Sequence, residues 1–369
     1  MSESTGPHGA PSRTSGAQAR PLGTEAVPSS SEAPPPAGPL DTTPKSGPRR
    51  FLSGSVGRNL GLVVALLLLV IVGAVTAPDT FLTVSNTLTI LRQASILGVV
   101  AIGMTLVITA GGIDLSVGSV LGLASVVATL AAIQDLADQL HWIVMIVMAL
   151  LVGVAAGLIN GIVIAYGRVV AFMATLAMLI AARGLAEVLA ERRTLQVRDR
   201  ELINFLNADL IGVDMLIWIF AIVAVLGWVI LNRTTFGRRT VAIGGNREAA
   251  RLAGINVKRH TMWLYAISGL CAGIAAIMYL GRTTAGTSTH GTLLELDAIA
   301  AVVVGGTLLV GGRGTVTGTV FGVLIFTTLT NVFVQNNLNS SIQAVVKGVI
   351  IVVAVLLQQR FAKPTGRAT

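Results

Sequence analysis

One long apolar stretch with a polar break in its middle constrains this chain more than any other feature. Residues 95–133 are almost wholly hydrophobic except for Gly-Gly-Ile-Asp-Leu-Ser-Val-Gly-Ser at 111–119. A membrane-spanning helix needs about 20 apolar residues, so the stretch is long enough for two crossings. Asp114 in the break would cost roughly 2.5–3.5 kcal/mol at the centre of a lipid-exposed helix. We therefore expect Asp114 to face protein, water or a passing solute.

The composition of the whole chain is typical of a polytopic membrane protein. Of 369 residues, 53% are hydrophobic and 12% are charged, whereas soluble domains carry about 25% charged residues. The net charge of +9 would also suit a nucleic-acid-binding protein. The basic residues cluster in loops beside apolar runs, however, as the positive-inside rule describes. We interpret the charge as membrane topology and expect no nucleic-acid partner.

The chain divides into a tail and a membrane domain. Residues 1–50 contain ten of the twelve prolines, and such a segment buries too little apolar surface to fold. We predict a disordered cytoplasmic tail over 1–50 and an all-α transmembrane domain over 51–369. The apolar runs predict about ten membrane-spanning helices, at 60–77, 90–110, 115–133, 141–166, 169–190, 215–231, 261–281, 295–311, 314–335 and 341–358.

Loop charges predict the orientation in the cell membrane. The loop 232–260 carries seven basic residues against the single acidic residue Glu248, whereas the basic and acidic residues of 191–214 balance. Cytoplasmic loops are the ones enriched in Lys and Arg. We expect 232–260 and both termini in the cytoplasm, and 191–214 outside.

The break at 111–119 has two interpretations. Gly111 and Gly112 can end one helix, and Asp114 can cap the next by accepting the backbone N–H of Ser116 or Val117. Alternatively, the broken helix lines a translocation path, as polar breaks do in transporters. The two roles are compatible.

A second acidic residue stands in a similar setting. Asp297 lies at the start of the eighth predicted span, as Asp114 lies at the start of the third. In the predicted topology these two starts are on opposite sides of the membrane. An inverted five-plus-five repeat would produce this arrangement, and two independent helix caps would produce it equally well. The candidate path residues are Gly112, Asp114, Ser116 and Asp297.

The cytoplasmic loop contains a second strong signal between residues 244 and 256. Asn246 is a favourable N-cap, Glu248 complements the positive end of a helix, and Gly254 is a favourable stop. The result is a short basic helix that is too short to be stable alone in water. We expect it to dock in a groove of a partner protein. The alternative is an amphipathic connector on the lipid surface.

Other residues in the apolar runs favour structural roles. Arg183 and Glu187 are one helical turn apart, so we expect them to neutralise each other, and Lys347 is expected to extend towards the membrane surface. Cys271 is expected to be a small core residue. Glycines at every fourth position predict close helix packing in two runs: Gly153, Gly157 and Gly161, then Gly314, Gly318 and Gly322.

The sequence lacks the motifs of the common catalytic sites. No lysine follows a glycine, so there is no phosphate-binding loop of the Gly-Lys-Ser/Thr type. The four histidines show no metal-ligand spacing. We expect no catalytic residue, no metal site and no cofactor in this chain.

Three segments in order resemble one family. Gly103 to Ser119 looks like the signature of the ribose-type and xylose-type permeases of bacterial ATP-binding-cassette (ABC) sugar importers, within the branched-chain transport permease superfamily. Residues 244–256 resemble their coupling loop, and 295–314 resemble their eighth-span region. The likeness covers about residues 78–358. The Leu-Pro that follows the loop glycine in many importers is missing after Gly254.

The resemblance implies a function and a set of partners. It implies a permease subunit that translocates a monosaccharide, a second permease chain that most simply makes a homodimer, two ABC ATPase subunits that bind the ATP, and an extracytoplasmic sugar-binding protein. It also implies an ATPase-coupling loop made of Gly244, Gly245, Asn246, Arg247, Glu248, Ala249, Ala250, Arg251 and Gly254. The alternative is an ion-coupled secondary transporter in which Asp114 or Asp297 binds a proton or sodium. A membrane enzyme is a more distant alternative.

Overall fold

The computed structural model describes residues 55–361, and within this range the chain is mainly α-helical. The predicted tail over 1–50 lies outside the described residues. Along the chain the helices are α1 (Ser55–Thr76), α2 (Pro78–Phe81), α3 (Val84–Thr109), α4 (Val117–Ala128), α5 (Ala131–Gln139), α6 (Ile143–Ala165), α7 (Ala171–Leu189), α8 (Arg200–Leu206), α9 (Met215–Arg233), α10 (Thr235–Gly245), α11 (Arg247–Leu252), α12 (Val257–Thr283), α13 (Leu294–Val304), α14 (Val316–Gln335) and α15 (Ser340–Phe361). Four two-residue strands lie between helices: β1 (Leu195–Gln196), β2 (Asp209–Leu210), β3 (Val213–Asp214) and β4 (Ala285–Gly286).

Six of the described helices are long and apolar enough to cross a membrane: α3, α6, α7, α9, α12 and α14. Helices α4 and α5 together form a seventh candidate span, which is bent by 55° at the break between them. The prediction of an all-α transmembrane protein is confirmed in this form. The finer prediction of about ten spans with an inverted repeat is not confirmed.

The difference comes from places where an apolar run leaves the helical conformation. The predicted span 295–311 is helical only to Val304, because Gly306 and Gly311 adopt left-handed backbone angles with φ of +88° and +86°. Hydropathy measures how apolar a segment is, and it does not detect where glycines interrupt the backbone hydrogen bonds. The described apolar parts of the first and last predicted spans, Leu60–Thr76 and Ser340–Ile350, are shorter than a full crossing.

Helix α12 lies at the centre of the bundle. It packs against α6, α3 and α4. Of the residues in its apolar segment, 78% are buried inside the protein, whereas the corresponding share for α9 is 17%. The predicted glycine packing is confirmed here, because Gly153 and Gly157 of α6 lie against the backbone of Gly269 and Tyr265 in α12. Cys271 in the same helix is buried, as expected.

The second glycine run also packs a helix pair closely. Gly318 and Gly322 of α14 lie against the backbone of Gly305 and Ala301, at the end of α13. Gly314 lies outside the helix, beside the side chain of Thr109. Both runs therefore bring neighbouring backbones together, which is their usual role in membrane helices.

The polar segments gather at two ends of the bundle. At one end β1 pairs with β4, and Gln134 of α5 donates from Nε2 to the carbonyl of Gln196 at 3.1 Å. At the other end lie α10 and α11. The 27 residues of α12 begin beside α11 and end beside β4, a rise of about 40 Å. The loops 191–214 and 232–260 are thus on opposite sides of the bundle.

Candidate functional site

The short helix α11 in the loop 232–260 is built by local caps. The side-chain oxygen of Asn246 accepts the backbone N–H groups of Glu248 at 3.1 Å and Ala249 at 2.9 Å. At the other end Gly254 has a φ of +82°, and the N–H of Ile255 donates to the carbonyl of Ala250 at 3.1 Å. This is a Schellman ending, for which glycine is the favoured residue. The predicted helix and both of its caps are confirmed.

One face of α11 is held by a small apolar cluster, and the opposite face is open. Ala250 is buried against Ile243 and Val257. Leu252, by contrast, has 73% of its surface exposed. Among residues 55–361, little of this leucine is covered by other side chains, which is unusual for an apolar residue in a basic polar loop. Sequence reasoning missed Leu252, although a lone leucine between arginine and alanine was a visible signal.

Glu248 already has a counter-charge within α11. Arg251 donates from Nη2 to Oε1 of Glu248 at 2.6 Å, and both side chains are largely exposed. The hydrogen bond from Arg251 lowers the pKa of the Glu248 carboxyl below its ordinary value. The helix therefore carries an internally paired acid, and the positive charge of its surroundings comes from other residues.

In the segment before α11, the backbones of three distant parts of the chain are in direct contact. Gly244 lies against the carbonyl of Thr109, at the end of α3, and against Gly312 in the segment 305–315. The N–H of Gly312 donates to the carbonyl of Thr109 at 2.8 Å, and Gly311 lies against Gly111. We call this contact the glycine junction. It connects the segment before α11 directly to both places where an apolar run leaves the helical conformation.

Asp114 lies at the start of α4 and is only 1% exposed. Its Oδ1 accepts the backbone N–H of Ser116 at 3.0 Å and the Ser116 hydroxyl at 2.6 Å. The predicted hydrogen bond to Ser116 is confirmed, but Ser116 rather than Asp114 occupies the N-cap position of α4. The Oδ2 of Asp114 accepts the hydroxyl of Ser268 in α12 at 2.8 Å. The Ser116 hydroxyl in turn accepts from Nδ2 of Asn160 in α6 at 2.9 Å. One aspartate therefore ties three helices together.

The four candidate path residues do not meet at one place. Gly112 lines a cavity of about 650 Å³ that reaches the break from the side of α11. Asp114 and Ser116 are buried behind it. Asp297 lies in α13 and pairs with Lys347 of α15, with 2.9 Å between Oδ2 and Nζ. Lys347 thus has an acidic partner, rather than extending alone to the membrane surface as expected.

A second polar centre lies between α12 and α13. Arg183 of α7 donates to the carbonyl oxygens of Ser288 and His290, and His290 contacts the Ser125 hydroxyl of α4 at 3.1 Å. Arg183 and Glu187 therefore form no direct ion pair among the described residues, and the expected neutralisation is reduced to an electrostatic attraction at longer range. Arg183 turns towards the segment 284–293, and Glu187 faces Arg192 at 3.7 Å.

Glu295 is the residue of this centre that sequence reasoning did not single out. It is 7% exposed, and its Oε2 has no hydrogen-bond partner among the described residues. Gly118, in the first turn of α4, packs against this carboxylate and against Gly291. The starts of α4 and α13 therefore lie side by side inside the bundle. The signal available in the sequence was an acidic residue two positions before Asp297.

Among residues 55–361, no group of three or more His, Cys, Asp and Glu side chains is arranged to hold a metal ion. The polar groups near the break are hydroxyls, amides and a hydrogen-bonded carboxylate. Such groups can exchange hydrogen bonds with a neutral hydroxyl-rich solute.

Comparison with known proteins finds one matching family and several similar permease proteins. Residues 86–355 match the family described as branched-chain amino acid transport system / permease component. The ribose import permease protein RbsC of Escherichia coli (strain K12) is 39% identical over 330 residues, covering 87% of this chain and 99% of that protein. The L-arabinose transport system permease protein AraH of the same strain is 36% identical over 329 residues, covering 87% and 96%. RbsC of Bacillus subtilis (strain 168) is 38% identical over 314 residues, covering 85% and 96%. No solved structure matches the chain significantly.

Proposed function

The chain belongs to the family of branched-chain amino acid transport system permease components, and from this premise we propose that it is the membrane-spanning permease subunit of an ABC importer for a monosaccharide. The substrate class follows the relatives, which are named as ribose and L-arabinose permeases. With six or seven candidate spans among the described residues, the chain works in the cell membrane as a multi-pass protein. It transports rather than catalyses, and ATP is bound by partner subunits.

The observation that carries this proposal is the docking helix α11. A helix of six residues is not stable alone in water, and here two caps and the buried Ala250 hold it against the bundle. Its exposed Leu252 offers an apolar contact to a groove in an ATPase subunit. Through the glycine junction, movement of α11 reaches α3 and the segment 305–315 without an intervening flexible loop.

The remaining partners are part of the same proposal. The importer contains two ATPase subunits, an extracytoplasmic sugar-binding protein that delivers the substrate, and a second permease chain, most simply a copy of this one. The sugar passes the polar break at Gly112, which packs on the buried side chains of Val107 and Tyr265. Asp114 and Ser116 hold the shape of that break from behind, and Asp297 with Lys347 holds α13 against α15.

Ion coupling is the second candidate function. It would need a carboxylate that can take up a proton or sodium during transport. Both acids considered for that role already have partners: Asp114 accepts three hydrogen bonds, and Asp297 is paired with Lys347. This favours the ATP-driven function.

A ten-crossing architecture with both termini in the cytoplasm also belongs to the proposal. It is supported by the way in which the first long helix of each half packs on helices of the other half. Helix α3 packs on α13 and α14, as α12 packs on α4 and α6. Reciprocal packing of this kind is expected of two halves related by an inverted repeat.

The docking role is tested by changing Leu252 to aspartate. A charged side chain on the exposed face of α11 should abolish ATP-dependent uptake of labelled ribose or arabinose in cells that carry the whole importer. It should also remove the ATPase subunit from the purified complex, because an apolar contact is replaced by a desolvated charge. Leu210→Asp is the matched control, since Leu210 is 49% exposed at the opposite end of the bundle.

Normal uptake and normal recovery of the ATPase with Leu252→Asp would contradict the proposed docking role of α11. Uptake that survives loss of the ATPase and stops when the ion gradient is dissipated would favour the secondary transporter. Uptake of leucine in place of either pentose would keep the permease function and change the substrate class.

A further inference from the structure

The cavity beside the docking helix has a strongly basic lining. It has a volume of about 650 Å³ and lies between α11, the start of α12, the end of α3 and the turn that joins α6 to α7. Four basic residues line it, Arg168, Arg247, Arg251 and Lys258, together with the single acidic residue Glu248. Three of the basic residues belong to the basic loop 232–260, and the fold brings Arg168, from the turn between α6 and α7, beside them.

Most of this positive charge has no counter-charge. Glu248 is occupied by Arg251. Neither Arg168 nor Arg247 has a carboxylate within ion-pair distance among residues 55–361, and Lys258 stands 5.7 Å from the ring centre of Tyr166. Cations that share a cavity repel one another, and an anion placed between them is attracted to all of them. The cavity is therefore suited to a compact anion.

The rim of the cavity points to the source of that anion. Val169 and Val170 line the cavity and are 40% and 69% exposed, and the neighbouring Phe172 and Met173 at the start of α7 are 47% and 60% exposed. Exposed apolar side chains at the end of a membrane helix are the surface that acyl chains cover. Tyr166, which is 50% exposed, is a residue type enriched at the headgroup level. A soluble anion would use the charges and leave this rim unoccupied.

We propose that the cavity binds the phosphate headgroup of an anionic phospholipid from the leaflet on the side of α11. Arg168, Arg247 and Lys258 contact the phosphate, and the acyl chains lie along the exposed start of α7. Basic pockets between membrane helices on the cytoplasmic side are known to hold anionic headgroups. The proposal does not depend on what the protein transports, because it concerns a lipid site beside the docking helix.

The test uses the purified chain in nanodiscs. Native mass spectrometry counts the lipid retained when the disc contains phosphatidylglycerol mixed with phosphatidylcholine, and thermal unfolding is followed in parallel. The wild-type chain should retain phosphatidylglycerol selectively and unfold at a higher temperature in its presence. Arg168→Gln, Arg247→Gln and Lys258→Gln should each weaken retention about fivefold, the expected effect of one basic residue near an anionic surface.

Matched controls separate the site from general charge. Arg238 and Arg259 are exposed basic residues of α10 and α12 that do not line the cavity, so Arg238→Gln and Arg259→Gln should retain lipid as the wild type does. Lys258→Arg should also retain it, since the charge is kept. Unfolding temperatures in pure phosphatidylcholine identify any variant that is simply misfolded.

Three results would overturn the proposal. The first is equal loss of lipid in the control variants, which would mean a diffuse surface charge. The second is stabilisation by inorganic phosphate in phosphatidylcholine discs that equals the effect of phosphatidylglycerol, which would mean a soluble phosphate ligand. The third is a chain that shows no lipid selectivity and whose three basic residues are protected from an arginine- or lysine-reactive reagent only when the ATPase is bound. That result would mean that these residues contact an acidic segment of the ATPase.

Discussion

At the scale of single residues, the acids at the starts of α4 and α13 differ in how many hydrogen bonds and ion pairs their oxygens form. Asp114 accepts three hydrogen bonds within the bundle. Asp297 has the ammonium group of Lys347, whereas Oε2 of Glu295 has no hydrogen-bond partner among the described residues and only the electrostatic attraction of Arg183. A buried carboxylate whose two oxygens are both hydrogen-bonded has a structural role, because a bound ion would have to displace several hydrogen bonds.

Asp114 therefore supports a sharp prediction. Asp114→Asn keeps the oxygen that accepts from Ser116, and its amide can donate to the Ser268 hydroxyl, which is able to reverse its role. We expect it to keep most of the uptake and stability. Asp114→Ala removes the acceptor of one buried N–H and of the two buried hydroxyls of Ser116 and Ser268, at a cost of about 1–3 kcal/mol for each group left unpaired.

Thermal unfolding in detergent and uptake of labelled pentose in cells measure the two variants. Ser268→Ala is a useful control, because it removes only the hydrogen bond to Oδ2 and should fall between them. If Asp114→Asn expresses normally and stops uptake, the charge itself takes part in transport, and the ion-coupled function gains support.

At the scale of elements, the glycine junction connects α10 to two other parts of the chain. Gly244 and Gly245 are adjacent, both end α10, and they have opposite surroundings. A Cβ at Gly244 would collide with the carbonyl of Thr109 and the backbone of Gly312, whereas a Cβ at Gly245 would meet nothing within 4 Å. This pair isolates the effect of close backbone approach from the general effect of replacing a glycine.

We expect Gly244→Ala to destabilise the protein by about 1–3 kcal/mol, the usual cost of overpacking, and to reduce uptake strongly. Gly245→Ala should be neutral, or should stabilise the helix by up to about 1 kcal/mol, because alanine favours the helix over glycine. Unfolding temperature and ATP-dependent uptake are the measurements. If the two variants had the same unfolding temperature and the same uptake, the backbones at the glycine junction could move apart without harm. The junction would then not transmit movement of α11.

At the scale of the whole molecule, the bundle has two polar ends that the length of α12 separates. One end holds the segments around β1, β4 and α5, and the other holds α10 and α11. The positive-inside rule assigns the second end, with its excess of Lys and Arg, to the cytoplasm. The lipid site proposed beside α11 then belongs to the inner leaflet.

The orientation can be measured by cysteine labelling in a Cys271→Ala background. A cysteine at Arg193, whose side chain is 77% exposed, should react with an impermeant thiol reagent applied to intact cells. Cysteines at Arg239 and at Thr369 should react only after permeabilisation, as expected for ten crossings with a cytoplasmic C-terminus. Labelling of Thr369 from outside would indicate an odd number of crossings, and reversed labelling of Arg193 and Arg239 would invert the whole topology.

The sequence by itself determined what depends on neighbouring residues. Apolar run length predicted an all-α membrane protein, Asn246 and Gly254 predicted both ends of the docking helix, and Asp114 predicted its own hydrogen bond to Ser116. Hydropathy, caps and turns are decided within a few residues of chain, so they can be read from the local pattern.

Only the tertiary structure decided the contacts between distant parts of the chain. Asp297 meets Lys347 fifty residues away, and Asp114 meets Ser268 across more than 150 residues. Arg183 donates to the carbonyl of His290, 107 residues along the chain, rather than forming an ion pair with Glu187. Spacing along a helix shows which side chains share a face, but it does not show which neighbour that face meets. The basic cavity, the glycine junction and the side-by-side starts of α4 and α13 exist because folding brings together segments that no local pattern connects.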